Sequence, residues 1–489
     1  MTTRSGPRAR LLRAHPALRV ALAYLAGGLV AALVVLVGVG FQPSYGRSSA
    51  WGGIAYDDLR RAPVARGWTT DLAAVLAPGV PPSCVDLQAF PATPGRVLVS
   101  SQSLAVSGGF TLSSCTAVPN SLYAHRVALF DPTTGRVLWT RDLGLSGAPG
   151  SIVEDVLPTS DPSRLVVQMV DDDSGRFVTL DAETGRTRST ATVPGVALGS
   201  NYQNERLVVV NPNLDEGATE SKLWSFDDLE TPVWTGTLSQ SSPPQFLGDT
   251  MVATVDGRSV AVDGRTGVET PFASGRVDVR TSMSEGGVLY GRERSSGIPS
   301  TTVKAWDARG RTLWTAPLPV DGVAGVSRTC VLVTTPASPD LVCLDHRTGR
   351  ERWRQDLGTQ PFAGMLPGAT SDDVVSARLS TGDPAGAVTR VFDGDTGRQR
   401  FVVTGEGAQL AAAGRTVGYS LDTAANAQFG SRSRRMAAVD LASGRILWTL
   451  HGPQGAVLDF WAGHLVSVRN GEVTGMHDAG NAHPAPVLE

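Results

Sequence analysis

The chain has 489 residues, 18% of them charged, with 55 glycines, 31 prolines and a formal net charge of −3. Abundant glycine and proline with few charges suit short strands joined by tight turns and not a disordered chain, and the length exceeds what a single core serves unless cores repeat. A mildly acidic balance argues against a surface that holds nucleic acid or anionic lipid headgroups by charge.

From the N-terminus, Arg4, Arg8, Arg10, Arg13 and Arg19 precede residues 20–41, a stretch with no charged side chain. As a helix rising about 1.5 Å per residue it reaches roughly 33 Å, enough to cross a hydrocarbon core of about 30 Å. Arginine excess on its N-terminal side holds that end in the cytoplasm. The sequence therefore predicts a basic cytoplasmic tail over 1–19, a single transmembrane helix over 20–41, a linker over 42–64, and everything beyond on the extracytoplasmic side of the cell membrane. A cleaved signal peptide would carry an apolar core of about 7–15 residues and a nearby A-x-A site. This stretch is longer, the nearest candidate site is Ser48, Ser49 and Ala50, and no cysteine follows directly to carry a lipid.

Beyond the linker one phrase recurs: an aspartate, a short turn ending in glycine, and a hydrophobic strand that often carries tryptophan. It reads LFDPTTGRVLWTRDL at 129–143, KAWDARGRTLWTAPL at 304–318, VCLDHRTGRERWRQDL at 342–357 and AAVDLASGRILWTLHG at 437–452, with weaker copies between. The marking aspartates are Asp131, Asp181, Asp227, Asp263, Asp307, Asp345, Asp393 and Asp440, a mean period of about 44 residues, inside the range of propeller blades. Between successive hairpins the text supplies two further strands, so each unit is a four-stranded sheet with strands A to D, the aspartate turn joining C to D. The expected architecture is all-β: a closed β-propeller of eight or nine four-stranded blades over 65–478, followed by a C-terminal tail over 479–489. The two ends are complementary. HLVSVRNGEVTGMHD at 464–478 supplies B and C strands without D, and GWTTDL at 67–72 resembles the D-strand text WTRDL, so the N-terminal piece completes the last blade and removes its free edge.

Aspartates such as Asp131, Asp307, Asp345 and Asp440 recur at one turn, which a single active site cannot explain. A carboxylate that accepts turn N–H groups can. Trp139, Trp234, Trp314, Trp353 and Trp448 fall seven or eight residues after their aspartates, with Phe401 at the same position in another unit; these predict packing between neighbouring blades. Cys84, Cys115, Cys330 and Cys343 all lie beyond the membrane segment, where disulfides are permitted. Cys330 and Cys343 occupy mirrored positions about the turn TTPASPD and are expected to face each other across one hairpin, leaving Cys84 with Cys115. The longest interruptions, at 102–122, 211–220, 294–299 and 422–435, fall between B and C strands. A binding face and simple tolerance of insertions explain this placement equally well.

Acidic loops at 170–175 and 211–217 read as solvated hairpin tips, since neither meets the calcium-loop pattern. No C-x-x-C, G-x-S-x-G or G-x-x-x-x-G-K-[ST] is present. Catalytic, metal-binding and cofactor-binding residues are therefore all unassigned.

The phrase AxDxxTGxxxW, seen as VALFDPTTGRVLW at 127–139 and MAAVDLASGRILW at 436–448, resembles the pyrroloquinoline-quinone-like propeller repeat over roughly 65–478. That family includes quinone-dependent alcohol and sugar dehydrogenases and also non-catalytic members, among them the propeller lipoprotein of the outer-membrane β-barrel assembly machinery. The resemblance implies for the dehydrogenases a vicinal cysteine pair, a tryptophan beneath the quinone and carboxylates about calcium. This chain has no adjacent cysteines, and its tryptophans sit at the rim-strand position. The expectation is a non-enzymatic, membrane-anchored propeller that serves as scaffold or recognition module for an envelope protein or cell-wall component. The alternative is a quinone- and calcium-dependent dehydrogenase with a rearranged site.

Overall fold

Strand Arg126–Asp131 buries Val127, Ala128, Leu129 and Phe130 in succession, which a strand can do only if both faces of its sheet are covered. In the computed structural model both are. The structure describes residues 56–478 apart from segments between strands, the longest being 104–114, 116–124, 145–151, 211–218, 294–301, 365–373, 380–387 and 422–434; the expected transmembrane segment 20–41 and the tail 479–489 lie outside the described residues. No helix among the described residues is long and apolar enough to cross a membrane. Ser48–Glu489 forms one compact unit, divided from Met1–Arg47.

Every module is an antiparallel meander. In the first, Val85–Pro91, Val97–Ser103, Arg126–Asp131 and Arg136–Asp142 pair in chain order. Seven more follow, spanning 152–194, 196–238, 245–271, 283–316, 322–356, 362–404 and 409–451. The ninth combines Val457–Trp461, His464–Arg469 and Glu472–Asp478 with Pro63–Asp71 as its fourth strand. Hydrogen bonding groups these nine modules into eight sheets, because the third and fourth are fused through one pair, Leu238 with Val255. The expectation of eight or nine blades thus resolves into eight sheets that hold nine repeats.

Among the described residues nine hydrophobic clusters separate successive modules, and their membership closes the circle. Val127 and Leu129 face the second module, beside Val153 and Leu165. Ala128 and Phe130, one residue out of phase, face the ninth, beside Trp461 and Val466. The series runs on to the eighth module, where Tyr419 and Trp448 pack on Leu458 and Phe460 of the ninth. Closure therefore rests on side-chain packing as well as on the ladder of Pro63–Asp71 with Glu472–Asp478.

Strict antiparallel order puts the A–B and C–D turns at one end of each sheet and the B–C and D–A connections at the other. The helix Leu72–Leu76, which begins the connection from ninth to first module, illustrates this: Leu72 N–H and Ala73 N–H both donate to the Gly471 carbonyl of the ninth B–C turn, at 2.9 and 3.1 Å.

The four cysteines form Cys84–Cys115 and Cys330–Cys343, with Cα separations of 5.3 and 5.1 Å. The second pair is not directly opposed, as its mirrored spacing suggests. Cys330 pairs with Asp345 and Cys343 with Leu332, so the bridge runs along a diagonal. With sequence separations of 31 and 13, loop-closure entropy assigns the bridges about 4 and about 3 kcal/mol. Replacing Cys330 and Cys343 together with alanine should lower the urea unfolding free energy by up to about 3 kcal/mol. Peptide mapping without reductant should recover both bridges, and free thiols at 330 and 343 would refute the assignment.

Candidate functional site

The repeated turn is built on one plan, the marking carboxylate accepting N–H groups of its own turn. Asp131 Oδ1 accepts the Thr133 N–H at 2.8 Å and its hydroxyl at 2.5 Å, while Gly135 N–H donates to the Asp131 carbonyl at 2.9 Å. Asp345 Oδ1 accepts Arg347 and Thr348 N–H groups at 3.1 and 2.9 Å, and Asp440 Oδ1 accepts Ala442 and Ser443 at 3.1 and 2.9 Å. Asp307 closes a turn one residue shorter, accepting Arg309 and Arg311 at 3.0 and 2.9 Å. Asp227 lies outside the described residues.

In two of the described modules the second carboxylate oxygen accepts a hydrogen bond from an arginine of the D strand, Arg188 Nη2 donating to Asp181 Oδ2 at 2.6 Å and Arg400 Nη2 to Asp393 Oδ2 at 2.7 Å, and in a third Arg352 lies 3.9 Å from Asp345 Oδ2. The Arg400 hydrogen bond pulls Asp393 down, partial burial opposes it, and the Thr396 hydroxyl and N–H add to the fall, leaving it at about 2 against an ordinary 3.8. A depressed carboxylate contributes stability that is present above its unfolded value and lost as pH falls through the folded one. Between pH 5 and pH 2 the urea midpoint of the native chain should therefore fall more steeply than that of Asp393→Asn. Parallel curves would show that the pair contributes nothing.

The tryptophans knit each module to the next turn. Trp139, Trp314 and Trp353 donate their indole N–H to the carbonyls of Ala182, His346 and Gly394, at 3.0, 2.9 and 3.0 Å. Each acceptor is the residue directly after the marking aspartate of the following module. The turn glycine lies under the ring: a Cβ on Gly185, Gly349 or Gly397 would come within 2.6, 2.4 or 2.5 Å of Trp139, Trp314 or Trp353. Phe401 covers Gly444 likewise, and Trp68 covers Gly135. Trp234 departs from the pattern, donating to Glu269 Oε1 at 2.7 Å. Trp68 was readable from the shared text of GWTTDL and WTRDL, but its covering of Gly135 required the ring closure.

Gly397 has φ +70° and a crowded Cβ position, whereas Gly79 has φ +85° with nothing within 4 Å. Both alanine substitutions carry the left-handed cost of roughly 1–2 kcal/mol. Gly397→Ala should lose a further 1–3 kcal/mol or so by overpacking, and equal losses in the two variants would refute the interlock.

These contacts decide what the conspicuous residues can hold. Trp139, Trp314, Trp353 and Trp448 are buried, with their indoles committed to backbone carbonyls, so they present no open face for a quinone or a sugar. The disulfides join residues 31 and 13 apart. No three His, Cys, Asp or Glu side chains converge as a metal group among the described residues. Burial lifts Glu285, on the inner strand Met283–Glu285, to about 7. The described residues therefore do not fit a quinone–calcium centre.

Topology sets which end of each sheet carries the long interruptions. The connections after Ser103, Val210, Gly291 and Leu421, which contain the four long interruptions, all leave the same end of their sheets. Most of their residues lie outside the described ones. Cys115 is described: it is fully buried in the cluster between ninth and first modules, and its bridge to Cys84 ties the first interruption to the start of the first module.

The fold and its repeat define a pyrroloquinoline-quinone-like β-propeller. The family model described as outer membrane protein assembly factor BamB matches residues 124–284 and 299–459, more than half of the chain, and the chain belongs to that family. Similar solved structures include BamB from Moraxella catarrhalis, at 15% identity and TM-score 0.39, covering 85% of this chain and 99% of that one. A quinohemoprotein alcohol dehydrogenase from Pseudomonas putida HK5 aligns at 11% identity and TM-score 0.38, covering 93% and 83%. A europium-containing methanol dehydrogenase gives 12% and 0.35, covering 82% and 84%. No curated protein matches the chain in sequence. Likenesses this distant carry no functional argument.

Proposed function

We propose that the chain is a membrane-anchored, extracytoplasmic propeller that works without catalysis, as a scaffold or recognition module for an envelope protein or cell-wall component. The observation that carries this reading is the commitment of the repeat's chemical groups. The described marking aspartates are engaged by their own turns, and the rim tryptophans by the next module. What remains for recognition is the face that bears the long B–C connections. Membership of a family described by an assembly factor supports a role in holding other proteins, and the uncharged stretch at 20–41 after five arginines supports the anchor.

Crosslinking in living cells tests the face. The native full-length chain should yield a defined set of crosslinked partners, and exchange of 104–114 and 422–434 for glycine–serine linkers should remove part of that set. An unchanged set would exclude this face. In the same cells the full chain should stay with membranes through an alkaline carbonate wash. Reduction of a dye by purified protein given pyrroloquinoline quinone, calcium and an alcohol would overturn the non-catalytic reading.

A further inference from the structure

The ninth module is assembled from two distant parts of the chain, so no turn joins its C strand Glu472–Asp478 to its D strand Pro63–Asp71. The place of that turn is nevertheless filled. Asp478 pairs with Pro63 in the ladder as Asp131 pairs with Arg136 across the first complete turn. Asp478 Oδ2 accepts the Arg61 N–H at 3.2 Å, the bond that marking aspartates elsewhere make with their own turns. Asp478 is thus a ninth marking aspartate.

Residues 57–61 reproduce one further contact of a turn and one of a D strand. Trp448 donates its indole N–H to the Leu59 carbonyl at 2.6 Å, where its counterparts reach the carbonyl after the next aspartate. Arg60 Nη2 donates to Asp440 Oδ2 at 2.6 Å, the oxygen that Arg188 and Arg400 engage in their own modules. At that D-strand position, seven residues after the aspartate, the eighth module has Leu447, so the arginine arrives from another part of the chain.

Additional bonds hold the segment down. Asp58 Oδ1 accepts the Thr416 and Val417 N–H groups at 2.9 and 3.1 Å. The Tyr419 hydroxyl accepts the Leu59 N–H at 2.8 Å and donates to the Asp57 carbonyl. Asp57 N–H donates to the Gly463 carbonyl at 3.0 Å, and its carboxylate meets His464 Nδ1 at 2.9 Å.

We infer that the eighth and ninth modules form a binding site for a repeat turn, and that the chain fills it with its own segment Asp-Asp-Leu-Arg-Arg as a latch that closes the ring. The ligand class is a short peptide that offers a carbonyl to Trp448, a guanidinium to Asp440, and carboxylates to the Thr416 amide and His464. The latch is distinct from the closing strand: it joins the D-strand side of the eighth module to the inner turn of the ninth, and then leads into the ladder.

Two experiments decide the matter. Trp448→Phe in the full chain keeps the ring and removes the indole donor, and amides of 57–71 should then exchange about tenfold faster, the equivalent of one buried hydrogen bond, with modules two to six unchanged. Unaltered exchange over 57–71 would overturn the latch. A circular permutant joins Asp478 to Pro63 through Pro-Thr-Thr-Gly, opens the chain within 422–434 and lacks 56–62. If the segment is a turn surrogate, the permutant melts near the native chain, well above a full chain with 56–62 deleted. A permutant that fails to fold, or melts with the deletion, refutes the surrogate.

Discussion

A sheet four strands wide has two faces to bury and nothing of its own to bury them with, and this constraint governs the molecule. Its solution is visible within single strands, where alternate residues serve different neighbours: Val127 and Leu129 to one side, Ala128 and Phe130 to the other. No module can then be stable at a free end, because an outermost sheet would expose one apolar face and an unpaired edge. Closing the circle removes both liabilities at once, and the ladder of Pro63–Asp71 with Glu472–Asp478 covers the edge while the packing of the ninth module on its two neighbours covers the faces.

Packing alone would leave neighbouring sheets free to slide. The indole-to-carbonyl bond restrains them, since it is directional and each partner is a buried polar group that would be costly to leave unpaired. The turn glycine belongs to the same device, for the ring of Trp353 occupies the volume that a Cβ on Gly397 would need. Aspartate, glycine and tryptophan recur together because they build one contact: the aspartate fixes the turn, the glycine admits the ring, and the ring grips the turn's first carbonyl.

That contact is why so much of the fold was legible in the sequence. Each copy needs the same three residue types at the same spacing, so the period emerges directly and the strands around it follow. Legibility failed where the contact is made from parts remote in sequence. Asp478 reads as the end of a terminal strand because its turn partner is Arg61, 417 residues away in the chain. Residues 57–61 share no text with a repeat turn and match it only in the positions of one carbonyl and one N–H, while Arg60 stands in for an arginine of the D strand. The offset of Cys330 against Cys343 escaped for a related reason: symmetry about a turn gives the hairpin, but the register, with Cys330 opposite Asp345, comes from the ladder. The shared sheet of the third and fourth modules depends on one backbone pair that no side-chain pattern encodes.

The repeat also bounds what its own connections require. In the fourth and ninth modules the B–C connection is two residues, Asp256 with Gly257 and Asn470 with Gly471, and both residues of each pair have positive φ, the signature of the tightest hairpin turns. Nothing in a four-stranded meander asks for more. The first module nonetheless separates its B strand, ending at Ser103, from its C strand, beginning at Arg126, by 104–125. Loop-closure entropy grows only slowly with length, so the ring tolerates such an interruption. This one is also fastened: Cys115 lies within it, fully buried, and is bonded to Cys84 at the root of the same module. The bridge sets one residue of that connection into the core between the ninth and first modules, so the same covalent link that offsets the entropy of a long loop also fixes where the connection leaves the ring.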